Sequence, residues 1–189
     1  MTCVTDGGML EIRRGGTPDA PVIYSGNGQT PVAGIRVEAD NVVVQGFTLN
    51  RPQAPGIEAI GNNVTLQDNT ILNPIEGDGD GIRLFGNGQK ILHNSISGTS
   101  NQYGHADCMQ SFTNDHPSTS NLLIAKNVCR DIDNQCLMGE GVGDPQGGKG
   151  GGESKNWTIT GNVCEFGASQ GYMLEYISDV TITDNQVSG

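Results

Sequence analysis

Apolar and polar positions alternate along this chain in short bursts that run up to an asparagine. The stretches NNVTLQDNTI (62–71), GQKILHNSI (88–96), NLLIAKNVC (121–129), NWTITGNVC (156–164) and SDVTITDNQV (178–187) share one rhythm. Apolar residues stand two apart, an Asn follows, and another apolar residue comes after it. NVVVQGFTL (41–49) is a degenerate copy with Phe47 in place of the Asn. The central asparagines are residues 69, 94, 127, 162 and 185, so the spacings are 25, 33, 35 and 23 residues. A second pattern interleaves with the first: GIRVEA (34–39), GIEAIG (56–61), GIRLFG (81–86), CMQSFT (108–113), CLMGEG (136–141) and GYMLEY (171–176). Period-two alternation over such short runs predicts strands. No one strand buries its apolar face alone, but stacked copies would join Val64, Leu66, Ile91, Ile124, Ile159 and Ile182 into one interior. The uneven spacing puts loops of different length outside a constant core, near 97–107, 113–120 and 139–155.

The expected fold is a single all-β solenoid domain over 1–189, with about six to seven rungs and at least two strands per rung. The leucine spacing of a leucine-rich repeat and the Trp-Asp rhythm of a propeller are missing. The Asn-bearing rhythm resembles that of the right-handed, single-stranded parallel β-helix of the pectate-lyase-like superfamily, over roughly residues 20–189. The resemblance implies that each recurring Asn lies at a turn, stacks on the Asn of the next rung and bonds the backbone. Asn tolerates left-handed geometry, which gives a physical reason for the choice. Phe47 should make its turn different. Both ends look incomplete: TDNQVSG follows directly on a strand, and no capping helix is readable before residue 9. Missing segments, an atypical cap, or a partner chain in an oligomer would cover such edges.

Composition narrows the function. Hydrophobic residues make up 34% of 189 residues and Gly is high at 29, which fits short strands and many turns. No apolar run is long enough for a membrane span. A net charge of -11 argues against nucleic acid as a partner. An anionic sugar polymer would need a bridging cation. Residues 1–8 carry no signal-peptide pattern, and a mature secreted protein would look the same. The resemblance implies a secreted or extracellular protein. Five cysteines cannot all pair within one chain. Cys108 and Cys136 share a column, as do Cys129 and Cys164. Side chains on neighbouring parallel strands point the same way, so stacked free thiols are expected. Cys3 has no evident partner.

Candidate chemistry follows from the columns. Ile35, Ile57, Ile82, Met109, Leu137 and Tyr172 point inward, which sends Arg36, Glu58, Arg83, Gln110, Met138 and Met173 outward. Asp78, Asp80 and Arg83 precede His105, Asp107 and Gln110 by 27 residues each, so they should sit on adjacent rungs in one register. Strands lie ~4.8 Å apart, which makes Asp80 and Asp107 near neighbours. Two close carboxyls do not both ionise freely unless a cation compensates. Arg83 is one candidate. A Ca²⁺ ion held by Asp78, Asp80 and Asp107, with Asp133 adding a ligand, is another. The bland alternative is that GDGDG is only a turn and the acids only keep the surface soluble. Phe85 and Phe112 fall on the outer face, where aromatic rings can stack on sugars unless a loop covers them. Glu140 and Glu175 stack on the same face, and Lys149 at a Gly-rich loop tip could reach a polyanion. His93 and His116 are read as turn and loop residues.

The resemblance implies a polysaccharide or oligosaccharide as partner. The leading expectation is a lyase that cleaves a uronic-acid polymer by β-elimination, with Arg83 or His105 as base and Ca²⁺ on the substrate carboxylate. The second is a glycoside hydrolase with Asp80 and Asp107 as its carboxyl pair. The third is a non-catalytic carbohydrate-binding or structural module.

Overall fold

The computed structural model describes residues 7–27, 32–113, 115–142 and 153–189. Every described regular element is a strand, and all the strand pairs are parallel. They form three sheets of seven, seven and six strands. The first sheet runs Met9–Ile12, Gly34–Val37, Ile57–Ile60, Ile82–Phe85, Met109–Ser111, Leu137–Glu140 and Tyr172–Glu175. The second includes Val42–Gln45, Thr65–Gln67, Lys90–Leu92, Ser120–Ala125, Ser154–Thr160 and Ile177–Thr183. The third includes Thr48–Asn50, Thr70–Leu72, Ser95–Thr99, Val128–Ile132 and Val163–Phe166. Each circuit of the chain adds one strand to each sheet in turn. The protein is therefore a parallel β-helix.

The register agrees with the columns read from sequence. Ile35 faces Ile57, Ile57 faces Ile82, Ile82 faces Met109, Met109 faces Leu137 and Leu137 faces Tyr172. Leu66, Ile91, Ile124, Ile159 and Ile182 stack likewise. Each of these columns is buried except at its last member: Tyr172 is half-buried, and Ile182 in the last rung is 47% exposed. One difference is instructive. The Asn rhythm covers two strands, not one, because the chain turns a corner at each Asn between the second and third sheets. A rung thus has three strands.

The Asn ladder is present, but for a different reason than the one expected. Asn69, Asn94, Asn127 and Asn162 are buried and none has a positive φ. The left-handed residue is the one before: Asp68, His93, Lys126, Asp184 and, where no side chain is needed, Gly46 and Gly161. What the ladder needs from Asn is its amide. Each Oδ1 accepts the backbone N–H and the side-chain Nδ2 of the Asn one rung earlier. Each Nδ2 also donates to a carbonyl of the preceding rung, those of Val44, Leu66, Ile91, Ile124 and Ile159. Carbonyl and N–H groups at a buried corner must be satisfied, and one amide satisfies both. Phe47 ends the ladder: its N–H bonds Asn69 Oδ1 at 3.0 Å and its ring fills the core.

The expectation of free thiols is corrected. Cys108 bonds Cys129 and Cys136 bonds Cys164. The columns were right, since Cys129 faces Cys164 in register. Both columns point inward, however, and meet across the interior of one rung at Cα separations of 6.0 and 5.9 Å. The closed loops of 21 and 28 residues imply roughly 3–4 kcal/mol each in chain-entropy terms. Cys3 lies outside the described residues. Among the described residues no helix is long and apolar enough to cross a membrane.

Candidate functional site

Asp80, Asp107 and Gln135 each stand just before a strand of the first sheet, on three successive rungs. Here the sequence builds a second, shorter ladder. Asp80 Oδ1 accepts the N–H of Asp107 at 3.0 Å, and Asp107 Oδ1 accepts the N–H of Gln135 at 3.0 Å. Asp80 is wholly buried. Its Oδ2 accepts Arg83 Nε at 2.9 Å and lies 2.7 Å from Arg83 Nη2, which also reaches Asp78 at 2.6 Å. Burial pushes the Asp80 carboxyl above its ordinary range, while Arg83 and the Asp107 N–H pull against that rise without cancelling it. Burial also opposes the Arg83 charge, but Asp80 and Asp78 outweigh it and hold the guanidinium above its usual value. Arg83 is therefore committed as a cation. It packs 5.5 Å from the ring centre of Phe112.

Asp107 is the other kind of carboxyl. It is 1% exposed. Oδ1 takes Asn134 Nδ2 at 2.9 Å as well as the Gln135 N–H. Oδ2 has one long contact, 3.3 Å from Gln110 Nε2. Burial pushes this carboxyl from an ordinary 3.8 to about 7, helped by the charge of Asp80 and opposed by the bonds from Gln135, Asn134 and Gln110. With Oδ1 already holding two donors, a proton belongs on Oδ2. Asp107 lines a groove of about 260 Å³ with His105, Gln110, Asn134, Gln135, Met138, Glu140 and Met173. Asp80 does not line it. Gln110 is 5% exposed, and its Oε1 has no donor. A second void near these rungs lies inside the coil, against the cysteines and Tyr172. It is apolar and of about 10 Å³, room for about one water and no substrate.

The structure brings together some of the expected residues and separates others. His105 is exposed on the groove rim. Glu140 lines the groove, and Glu175 follows it in register on the exposed last rung. Arg83 cannot be the base expected of it, because two aspartates hold its proton. Phe85 does not stack on sugar, because it is wholly buried beneath His116, whose ring lies 4.0 Å away at 13°, and against Phe112 at 5.0 Å. His116 is thus a cover, and burial lowers its pKa. Lys149 lies outside the described residues.

The expected calcium ligands do not fit calcium. Both Asp80 oxygens and Asp107 Oδ1 already accept N–H groups, and a guanidinium sits between Asp78 and Asp80. Asp133 instead accepts the N–H of Asn101 at 2.9 Å and pins the preceding loop. Among the described residues no group of three or more His, Cys, Asp or Glu is arranged to hold a metal ion. Asn134 and Gln135 were missed from sequence. Their signal was position: NQC precedes its strand as HADC precedes the one before.

Comparison with known proteins gave no matching family model, no matching curated protein and no matching solved structure.

Proposed function

We propose that the protein is a polysaccharide-cleaving β-helix enzyme of the glycoside hydrolase type, with Asp107 as general acid and Glu140 as its carboxylate partner. The observation that supports this most is the placement of a buried carboxyl in the wall of a groove that also holds a second carboxyl. Glycosidic hydrolysis asks for such a pair, one protonated and one ionised. Asp107 would give the proton on Oδ2 to the leaving glycosidic oxygen. Its new charge would be met by Asn134, the Gln135 N–H and Gln110. Glu140 would attack the anomeric carbon or activate the water that does, and the anomer of the product reports which. Asp80 serves by holding the Asp107 backbone, so it replaces neither partner.

The sequence resemblance to pectate-lyase-like β-helices favours a polysaccharide substrate. The two disulfides favour an oxidising, extracytoplasmic setting. β-Elimination is the weaker reading, because Arg83 is neither a free base nor free to neutralise a uronate. Its base candidates in the groove lining would be His105 and Glu140.

The test is release of reducing ends from a broad polysaccharide panel, with ultraviolet absorbance of unsaturated products followed in parallel. Reducing ends without that absorbance are expected, and Asp107→Asn should cut the rate by at least ~100-fold. Unsaturated products would transfer the role to elimination with His105 or Glu140 as base. An inert panel, or an Asp107→Asn protein with full rate, would refute the proposal.

A further inference from the structure

We infer that the side-chain amide of Gln110 turns over with the proton of Asp107, accepting from the protonated acid and donating to the carboxylate, which makes Gln110 the positioning residue of that acid; its part in catalysis rests on the hydrolase reading. A glutamine amide has a donor end and an acceptor end, and a half-turn about its last side-chain bond exchanges them. Whether it turns depends on what holds each end. The ladder amides are held at both: Asn94 Oδ1 accepts from Asn69, while its Nδ2 donates to the Leu66 carbonyl and to Asn127. Gln89 is held at one end by three carbonyls, those of Ala59, Gly61 and Phe85. Gln110 is under no such hold. It is 5% exposed, its Oε1 has no donor, and its Nε2 meets Asp107 Oδ2 at a long 3.3 Å. A half-turn therefore gives up one weak bond.

Asp107 supplies the reason to turn. Asn134 and the Gln135 N–H fill its Oδ1, so the proton sits on Oδ2, against Gln110. A hydroxyl there faces the donor end of the amide. Turned, the amide offers Oε1 to that proton, and a buried O–H gains an acceptor. Burial keeps the proton on Asp107 up to about pH 7. The other charged or titratable groups about the pair are Arg83, Asp80, His105 and Glu140. Arg83, beside Gln110 in register, is spent on Asp78 and Asp80. Asp80 takes the Asp107 N–H, and His105 and Glu140 stand in the groove lining. In the reaction the Oδ2–H bond breaks as the proton passes to the leaving glycosidic oxygen, and the bond from that oxygen to the anomeric carbon breaks with its electron pair going to the oxygen. The amide then turns back, and Nε2 donates to the new carboxylate. Each state of the acid meets the end of Gln110 that suits it.

Neutron diffraction from deuterated crystals of the full chain locates the deuterons directly. At about pD 5, below the Asp107 midpoint, a deuteron on Oδ2 pointing at Gln110 Oε1 is expected; at about pD 9 the amide deuterons of Gln110 should point at Oδ2. One amide orientation at both values overturns the inference. Gln110→Met, which keeps the shape and lacks the amide, tests the positioning role. Its kcat should fall at least ~10-fold with KM within about twofold. The Asp107 midpoint should stay within ~0.5 unit, since a turning amide favours both forms of the acid. A fixed donor would favour the carboxylate alone, and its loss would raise that midpoint by about one unit or more. Such a rise, or an unchanged kcat, overturns the role. A turning amide in a protein inert on every polysaccharide overturns the hydrolase reading alone; a fixed amide in an active protein overturns this inference alone.

Discussion

Asp107 and Asp80 are the same residue type on adjacent rungs, joined by one hydrogen bond, yet they have different chemistry. Asp80 faces a guanidinium and is sealed; Asp107 faces amides and a groove. For Asp107 the sign of the pH dependence follows from its raised value. The unfolded chain ionises it near 3.8, whereas the fold resists until about 7. Its contribution to stability is therefore complete below about pH 4 and lost as pH rises through about 7, up to ~4 kcal/mol at 1.36 kcal/mol per pH unit. Asp107→Asn cannot titrate, so its stability should fall less between pH 4 and 8 than that of the wild type, as measured by denaturant unfolding at each pH. Equal slopes would show that Asp107 is not displaced. The 27-residue offset between these residues was readable from sequence, and so was their adjacency. Which of them would be sealed was not, because that depends on where Arg83 lands. The cover over Phe85 was not readable either, since it comes from His116 in a loop with no periodicity.

At the scale of elements, strand alternation predicted the inward column of the first sheet that runs from Ile35 to Tyr172. It failed at the corners. The apolar–Asn–apolar rhythm reads as one strand because the residues on either side of the corner all point to the same interior. Left-handed geometry was assigned to Asn on propensity, but the preceding residue adopts it and the Asn amide bridges rungs. Asn127 tests this. Its loss would strand the buried Asn94 N–H and take one partner each from the Asn94 amide, which keeps the Leu66 carbonyl, and from the Ile91 carbonyl. At ~1–3 kcal/mol for an unsatisfied buried group and ~1 kcal/mol for each other bond lost, Asn127→Ala should cost roughly 3 kcal/mol. Asn185→Ala, on the half-exposed last rung, should cost much less. Equal losses in chemical denaturation would contradict the ladder.

At the scale of the whole molecule, a stacked coil turns a distance in sequence into a distance in space. Residues one circuit apart become neighbours, which is why the buried acid Asp107 from one turn meets the supporting groups of Asn134 and Gln135 from the next. The same geometry turned cysteines that stack in columns into partners across the coil, a pairing that the column pattern alone did not reveal. The claim on which the functional account rests is that this stacking leaves Asp107 protonated near neutrality. Side-chain carboxyl ¹³C NMR, with the signal assigned by loss in Asp107→Asn, measures that directly. A midpoint near 7 is the predicted result; a midpoint near 4 would mean an ordinary ionised aspartate that has no proton to give.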